Sequence, residues 1–341
     1  MTDFDKAFSR RNFITTAAGA GALSLLPIQA AFAAAFPERN IKVFVPTRAG
    51  GGADRNLRTF YGIWKKYLKT NFEPSFYPGA AGRVGYETYM GKAPDDGYNL
   101  LFGNMGPEVL NWVVKKPTFN LDDFMYFAQV DRDPGQIFVN IKSKFKTIDD
   151  LVAEGKKRTI NVGVSRLAHP ASLGALALGR HTGARFNLIP LSGGRNTRAA
   201  ITTGEVDCGA LPSGDIVRRA KQFKILCLFD DKNPLPDRMK DAVLANEHFG
   251  MKLPPLVAGA RAFGIKKSAV DKHPDRFKTM VDTMKNVYTD PDYKKAVIKS
   301  KAPWEYISYG GPEVCAQYAK DITEIGQEYR ELLTGRKKKK G

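Results

Sequence analysis

Short β-rich runs alternate with helical stretches through most of this chain, and several joints between them carry glycine. Ile41–Val45 is followed by a break at residues 46–52. Asp54 then opens a stretch that puts Leu57, Phe60, Tyr61, Trp64 and Leu68 on one helical face. Residues 72–77, 99–103, 136–140, 161–164, 186–189, 206–209 and 224–229 continue the strand signal. Thr147 and Asp150 have the spacing of a capped helix start. This alternation predicts α/β layers with mainly parallel sheets. Beyond Pro254-Pro255, residues 257–265 read as one strand that leads into amphipathic helices. Ser268 to Asp271 would cap the first, with Phe277, Met280, Val281, Met284 and Val287 on its apolar face. Val314, Tyr318, Ile322, Ile325 and Tyr329 do the same for the last.

A chain of 341 residues is long enough for two domains, each with its own core. Its 53 Lys plus Arg against 35 Asp plus Glu give a net charge of +18. Residues 1–33 hold +1 of this and the tail Arg336-Lys337-Lys338-Lys339-Lys340 holds +5, which leaves +12 on the body. That surplus fits an anionic ligand or an acidic surface. The body's charges are dispersed, with no basic stripe interleaved with aromatics, so no nucleic acid partner is expected. Cys208, Cys227 and Cys315 form no C-x-x-C pair, and the four histidines lack H-E-x-x-H spacing. Neither a disulfide scaffold nor a metal site is expected from them.

The first residues read as an address. Ser9-Arg10-Arg11-Asn12-Phe13 precedes an apolar run to Ile28, and Ala31-Phe32-Ala33 supplies small residues for cleavage. This is the pattern of a secretory signal over residues 1–33. The paired arginines with Phe two residues on resemble a twin-arginine export signal. No other stretch reaches about 18 apolar residues. The expected mature protein is therefore soluble and periplasmic, and residues 335–341 form a disordered basic tail.

Three strand-to-helix turns, at residues 47–54, 78–85 and 190–195, are rich in small residues. Ligands of parallel α/β folds collect at such turns, where glycine lets the backbone approach and helix-start N–H groups bind anions. Enzyme templates fail here. A G-x-G-x-x-G match from Gly50 meets Arg55 where glycine is needed, and G-x-S-x-G from Gly163 ends on Leu167. The carboxylate pairs Asp95-Asp96, Asp122-Asp123 and Asp149-Asp150 read as helix-start caps.

The run from Ile41 to Asp54, with Pro46 before Gly50-Gly51-Gly52, resembles the first loop of the tripartite tricarboxylate transporter receptors, also called the Bug family. Pro78-Gly79-Ala80-Ala81-Gly82 with Gly85, then Pro94-Asp95-Asp96-Gly97-Tyr98, Pro190-Leu191-Ser192-Gly193 and Gly204-Glu205-Val206-Asp207 are similar to its later motifs, in order. The resemblance runs from about Phe36 to about Leu333. It departs at Thr47 and Arg48, where the family has an aromatic and Pro, and at 164–169, where the family has a Gly-rich segment. Ser192 stands where it has Lys.

The resemblance implies a two-lobed periplasmic-binding-protein type II fold, two α/β domains joined by a hinge with the ligand cleft between them. Lobe 1 would take residues 36–136 and 261–334 and lobe 2 residues 137–260, with crossings near Phe138 and Ala260. It implies a solute-binding protein, not an enzyme, that acts as a monomer without cofactor or metal. The protein would deliver a small carboxylate to membrane permease subunits. The alternatives are a secreted enzyme acting on an anionic substrate, or a binding protein of another transporter type. By resemblance the ligand contacts are Ala49, Gly50, Gly51, Gly52 and Asp54 in the first loop and Ser165, Arg166, His169 and Ser192 in the second lobe. Arg48, Arg83, Arg166 and Arg195 fall in or beside cleft-forming loops. Arginine pairs both oxygens of a carboxylate. The expected ligand therefore carries more than one anionic group, one on the turn at 50–52 and another at Arg48 or Arg166.

Overall fold

The computed structural model describes residues 36–334. The signal segment, its paired arginines and the basic tail lie outside the described residues. Strands follow in chain order as β1 (Ile41–Val45), β2 (Phe72–Phe76), β3 (Asn99–Asn104), β4 (Phe124–Asp131), β5 (Asp133–Asn140), β6 (Ile160–Val164), β7 (Phe186–Pro190), β8 (Cys208–Pro212), β9 (Phe223–Leu228), β10 (Val243–Leu244), β11 (Val257–Gly259), β12 (Arg261–Lys266) and β13 (Ile307–Gly310). Two sheets result. The first has the order β13-β4-β12-β3-β1-β2. The second runs β10-β9-β5-β8-β6-β7, with β11 paired to β5.

Both sheets are mixed, which corrects the expectation of mainly parallel pairing. β1 is parallel to β2 and β3, and β6 to β7 and β8. β12 runs antiparallel to β3 and β4, and β5 to β8 and β9. The members that run against the rest are β12 and β13 in the first sheet and β5 in the second, and β5 and β12 are the strands that receive the chain at its two crossings. It leaves the first sheet at the end of β4 and enters the second at β5, with only Arg132 between. It returns from β11 to β12 with only Ala260 between. The first crossing is thus ahead of Phe138, which sits well inside β5. The stretch 257–265 is two strands, because Ala260 leaves the ladder and its carbonyl accepts from Met105 N–H at 2.9 Å.

The helices used below are α1 (Gly52–Leu68), α2 (Arg83–Lys92), α3 (Met105–Val114), α4 (Ile148–Lys157), α5 (Pro170–Thr182), α6 (Gly194–Thr203) and α7 (Ser213–Val217). α1 buries Leu57, Phe60 and Trp64 against the first sheet, where Phe60 meets Phe263 with ring centroids 5.4 Å apart. A buried indole needs a partner for its N–H. Trp64 Nε1 donates to Thr283 Oγ1 at 3.0 Å, tying α1 to the helix Pro274–Thr289. α4 begins with the Thr147–Asp150 capping box that the spacing predicts. Asp95-Asp96 begins no helix; Asp96 instead accepts from Tyr98 N–H and Arg39 ahead of β3. Ser268 caps nothing: Lys267–Lys272 is a separate short helix, and the long one starts at Pro274.

The last long helix, Pro312–Glu328, leaves Val314 exposed, against its expected place on the apolar face. Farther along, Ile322 and Ile325 share a core with Val109 and Leu110 of α3 and with Leu173 and Leu178 of α5. Tyr318 donates to Val257 O at 2.5 Å. The hinge is also pinned by ions. Asp131, ending β4, pairs with Arg261, starting β12, and accepts from Arg261 N–H at 2.9 Å. Among the described residues, no helix is long and apolar enough to cross a membrane.

Candidate functional site

A cleft of about 710 Å³ opens between the two sheets. On the first lobe it begins where β1 ends. Gly50 has φ +76°, a left-handed conformation that glycine adopts without strain. Gly51 is the N-cap of α1, and no side chain caps the helix. The first-turn N–H groups of a helix have no intrahelical acceptor, and the helix dipole favours negative charge there. Gly51, Gly52 and Ala53 line the cleft, so this helix start is open to it. The second lobe repeats the device. Gly193, at φ +120°, is the N-cap of α6, again without a side-chain cap, and Gly193 and Gly194 line the opposite wall.

Of the residues expected to contact ligand, Arg48, Gly50, Gly51, Gly52, Ser165, Arg166 and His169 line the cleft, whereas Ala49, Asp54 and Ser192 do not. Asp54 is 4% exposed and stands behind its loop. Its carboxylate accepts from Gly50 N–H at 2.7 Å and from Arg58 Nε at 2.6 Å, so both oxygens are already engaged. Ser192, at φ +55°, shapes the third turn, while Gly193 and Gly194 after it face the ligand space. Arg195 reaches the cleft but Arg83 does not. Arg83 pairs with Glu87 at 2.7 Å and donates to the Lys115 and Lys116 carbonyls.

His169 caps α5: its Nδ1 accepts from Ala171 N–H at 3.3 Å. With Nδ1 as acceptor, the ring proton sits on Nε2, so His169 is a neutral donor at the cleft wall. Burial, then Arg166 and Arg261, push its pKa down to about 3. Arg166 reaches across from the second lobe and donates to Ala81 O at 2.9 Å.

Sequence reasoning missed much of the wall. Arg55, Arg198, Arg218, Arg219 and Arg261 also line it, so eight arginines face four carboxyl groups: Glu108, Asp131, Asp133 and Asp215. The surplus is at least four positive charges. Among the described residues, no carboxylate lies within ion-pair distance of Arg48, Arg55, Arg166 or Arg195. Arg55 had a readable signal as the residue after Asp54 in the first turn of α1, and Arg218 and Arg219 had one in their i,i+3 and i,i+4 spacing from Asp215.

Burial pushes Glu108 up to about 7, against hydrogen bonds from Tyr126 and Asn104 N–H and the field of Arg166. Burial likewise raises Asp133 to about 6. Its Oδ1 accepts from Gly214 N–H at 2.9 Å and from Ser213 Oγ at 3.0 Å. Because the folded value of Glu108 lies above the ordinary 4.5, the folded chain holds more protons than the unfolded chain between those values. Its contribution to stability is therefore full below about 4.5 and is lost as pH rises through about 7. Glu108→Gln should remove this slope. Urea unfolding from pH 4 to 8 should show the parent's advantage over Glu108→Gln shrinking with rising pH. A constant difference would mean that Glu108 ionises normally in the fold. The opposite slope from neutral His169 is present in both proteins and cancels.

Comparisons with known proteins identify the family and match the fold. The model of the family described as the tripartite tricarboxylate transporter family receptor matches residues 75–255, more than half of the chain. The chain belongs to that family. The matched span begins after the first loop, so the turn at 50–52 rests on its own geometry. Among solved structures, a TctC solute-binding protein from Polaromonas without ligand is similar at 19% identity. The match covers 88% of this chain and 99% of that one, with a TM-score of 0.70. A Rhodopseudomonas palustris protein solved with adipate is 18% identical, over 88% of this chain and 98% of that one, with a TM-score of 0.70. MatC of the same organism, with bound malate, is 19% identical over 87% and 100%, with a TM-score of 0.65. At such identities the likeness establishes the two-lobed fold. No curated protein matches the sequence.

Proposed function

We propose that this TctC-family receptor captures a small organic carboxylate between its lobes and delivers it to the membrane subunits of a tripartite tricarboxylate-type transporter. The observation that carries the reading is the pair of uncapped helix starts, α1 on one lobe and α6 on the other, on opposite walls of one arginine-rich cleft. One carboxylate sits on the N–H groups at 51–53, and the second lobe closes over it with Arg166 and His169. Closure turns about the two crossings, a hinge motion that buries ligand and gives the permease one surface to recognise. The malate and adipate found in the two R. palustris structures support a carboxylate. The protein works as a monomer in the periplasm, and the Ser9-Arg10-Arg11 signal supports export by the twin-arginine route.

Thermal-shift measurement against malate, succinate, adipate, citrate, benzoate, a neutral sugar and an amine tests this. A carboxylate at about 100 times its Kd should stabilise the fold by about 2.7 kcal/mol. Stabilisation by the sugar or the amine alone would reject the reading.

A further inference from the structure

We propose that the cleft contains a second anion subsite, built by Arg55 from one lobe and by Arg198, Arg218 and Arg219 from the other. It takes a doubly charged end of the ligand, a phosphoryl-type group or a pair of neighbouring carboxylates. The proposal rests on the carboxylate-capture reading and goes further, because it sets the ligand's total charge at three or more.

The second-lobe half is already assembled around one counter-ion. Arg218 Nη2 and Arg219 Nη1 both lie 2.5 Å from Asp215 Oδ1, and Arg198 holds Oδ2. Three guanidinium groups thus share one carboxylate, which leaves two positive charges uncompensated. Burial opposes ionisation of Asp215, but Arg198, Arg219 and Arg218 outweigh it and hold the carboxyl below its ordinary value. Asp215 is therefore a fixed anion that pins the three forks. Arg218 Nε is buried and has no hydrogen-bond partner, so a donor is left over within the cluster.

The first-lobe half faces it. Arg261 is spent on Asp131, while Arg55 lacks a carboxylate among the described residues. Burial lowers the pKa of Arg55, and the next largest cause is the like charge of Arg218; Asp215 acts against it, and Arg261 and Arg219 act with it. Arg55 therefore feels cations on both lobes. Arrayed across a closing gap, like charges oppose closure, and the opposition grows as water is excluded. An anion between them reverses the sign of the interaction, and arginine's planar fork suits a doubly charged oxyanion group. The same feature makes closure conditional on the right cargo. A monocarboxylate can satisfy the glycine turn but leaves the arginine faces repelling.

Calorimetry on the full mature chain in 0.15 M salt decides the matter, with acetate, succinate, tricarballylate, citrate and phosphonoacetate as probes. At least one of the three highly charged probes should bind tenfold or more tightly than succinate. Arg55→Gln should cost that probe at least tenfold more affinity than it costs succinate. Arg55 holds no ion pair that folding needs, so the variant should fold, and its melting curve checks this. Arg83→Ala, outside the cleft, should change neither affinity. A preference for phosphonoacetate identifies a phosphoryl-type end; a preference for tricarballylate or citrate identifies paired carboxylates. Succinate binding with no preference for higher charge, or equal losses for both ligand classes in Arg55→Gln, would overturn the subsite and leave the carboxylate reading standing. If no probe binds, the subsite falls, and the thermal-shift panel with malate, adipate and benzoate decides the carboxylate reading.

Discussion

Asp54→Ala is expected to cost the cleft tenfold or more in ligand affinity, although Asp54 does not line it. The buried carboxylate fixes Gly50 N–H at 2.7 Å and Arg58 Nε at 2.6 Å. A hydrogen bond to a charged group contributes about 1.5–3 kcal/mol, and 1.4 kcal/mol corresponds to tenfold in affinity. Without this brace the turn at Gly50 samples other conformations, and the N–H groups at 51–53 are no longer held for an anion. Asp54→Asn separates a brace from a ligand contact. As a brace, asparagine keeps one acceptor, and affinity falls less than with alanine. If Asp54 faced an anionic ligand, removing its charge would strengthen binding. Calorimetry with the best carboxylate from the thermal-shift panel reads the difference.

Gly85→Ala should be the second large effect, on stability and binding together. Gly85 lies in α2 directly over Pro46, the residue that leads from β1 into the first loop. An added Cβ would stand 2.4 Å from Pro46 Cα and 3.1 Å from its nitrogen. Those are backbone atoms, so the loop itself must shift. Overpacking of this kind costs about 1–3 kcal/mol, and the displaced loop should bind ligand less tightly. Gly91→Ala in the same helix is the matched control. Nothing lies within 4 Å of its Cβ position, and its backbone is helical. Alanine there should be neutral or stabilising by about 0.4–1 kcal/mol. Urea unfolding of the two variants should move their midpoints in opposite directions. Equal shifts would show that helix propensity governs both sites and that the contact with Pro46 does not.

What was legible in the sequence was what local chemistry decides. Ile41–Val45 and the turn after it were readable because β-branched residues give way to glycines and then to an acidic residue in the first turn of a helix. The α4 cap was readable for the same reason: both partners lie within three residues. Residues 257–265 looked like one strand because β-propensity is continuous across Ala260. Only the packing of α3, whose Met105 N–H takes the Ala260 carbonyl, divides it between two sheets. The arginine wall was hidden more deeply. Arg198 and Arg218 meet on Asp215 from opposite sides in sequence, and Arg261 reaches the cleft because β12 starts at the hinge. Arg218 has i,i+3 spacing from Asp215, but no spacing rule brings in Arg198 or Arg261. Asp54 was misplaced for a related reason: at the sequence level, an acidic residue closing a glycine turn looks the same whether it faces a ligand or braces the loop.

Hydrogen exchange with and without the best carboxylate tests the central claim most directly. The account predicts that ligand slows exchange at the amides of residues 50–54 on one lobe and of residues 165–169 and 193–195 on the other, because one anion is held by both walls. Protection confined to one lobe, or found only away from these segments, would contradict capture between the uncapped starts of α1 and α6.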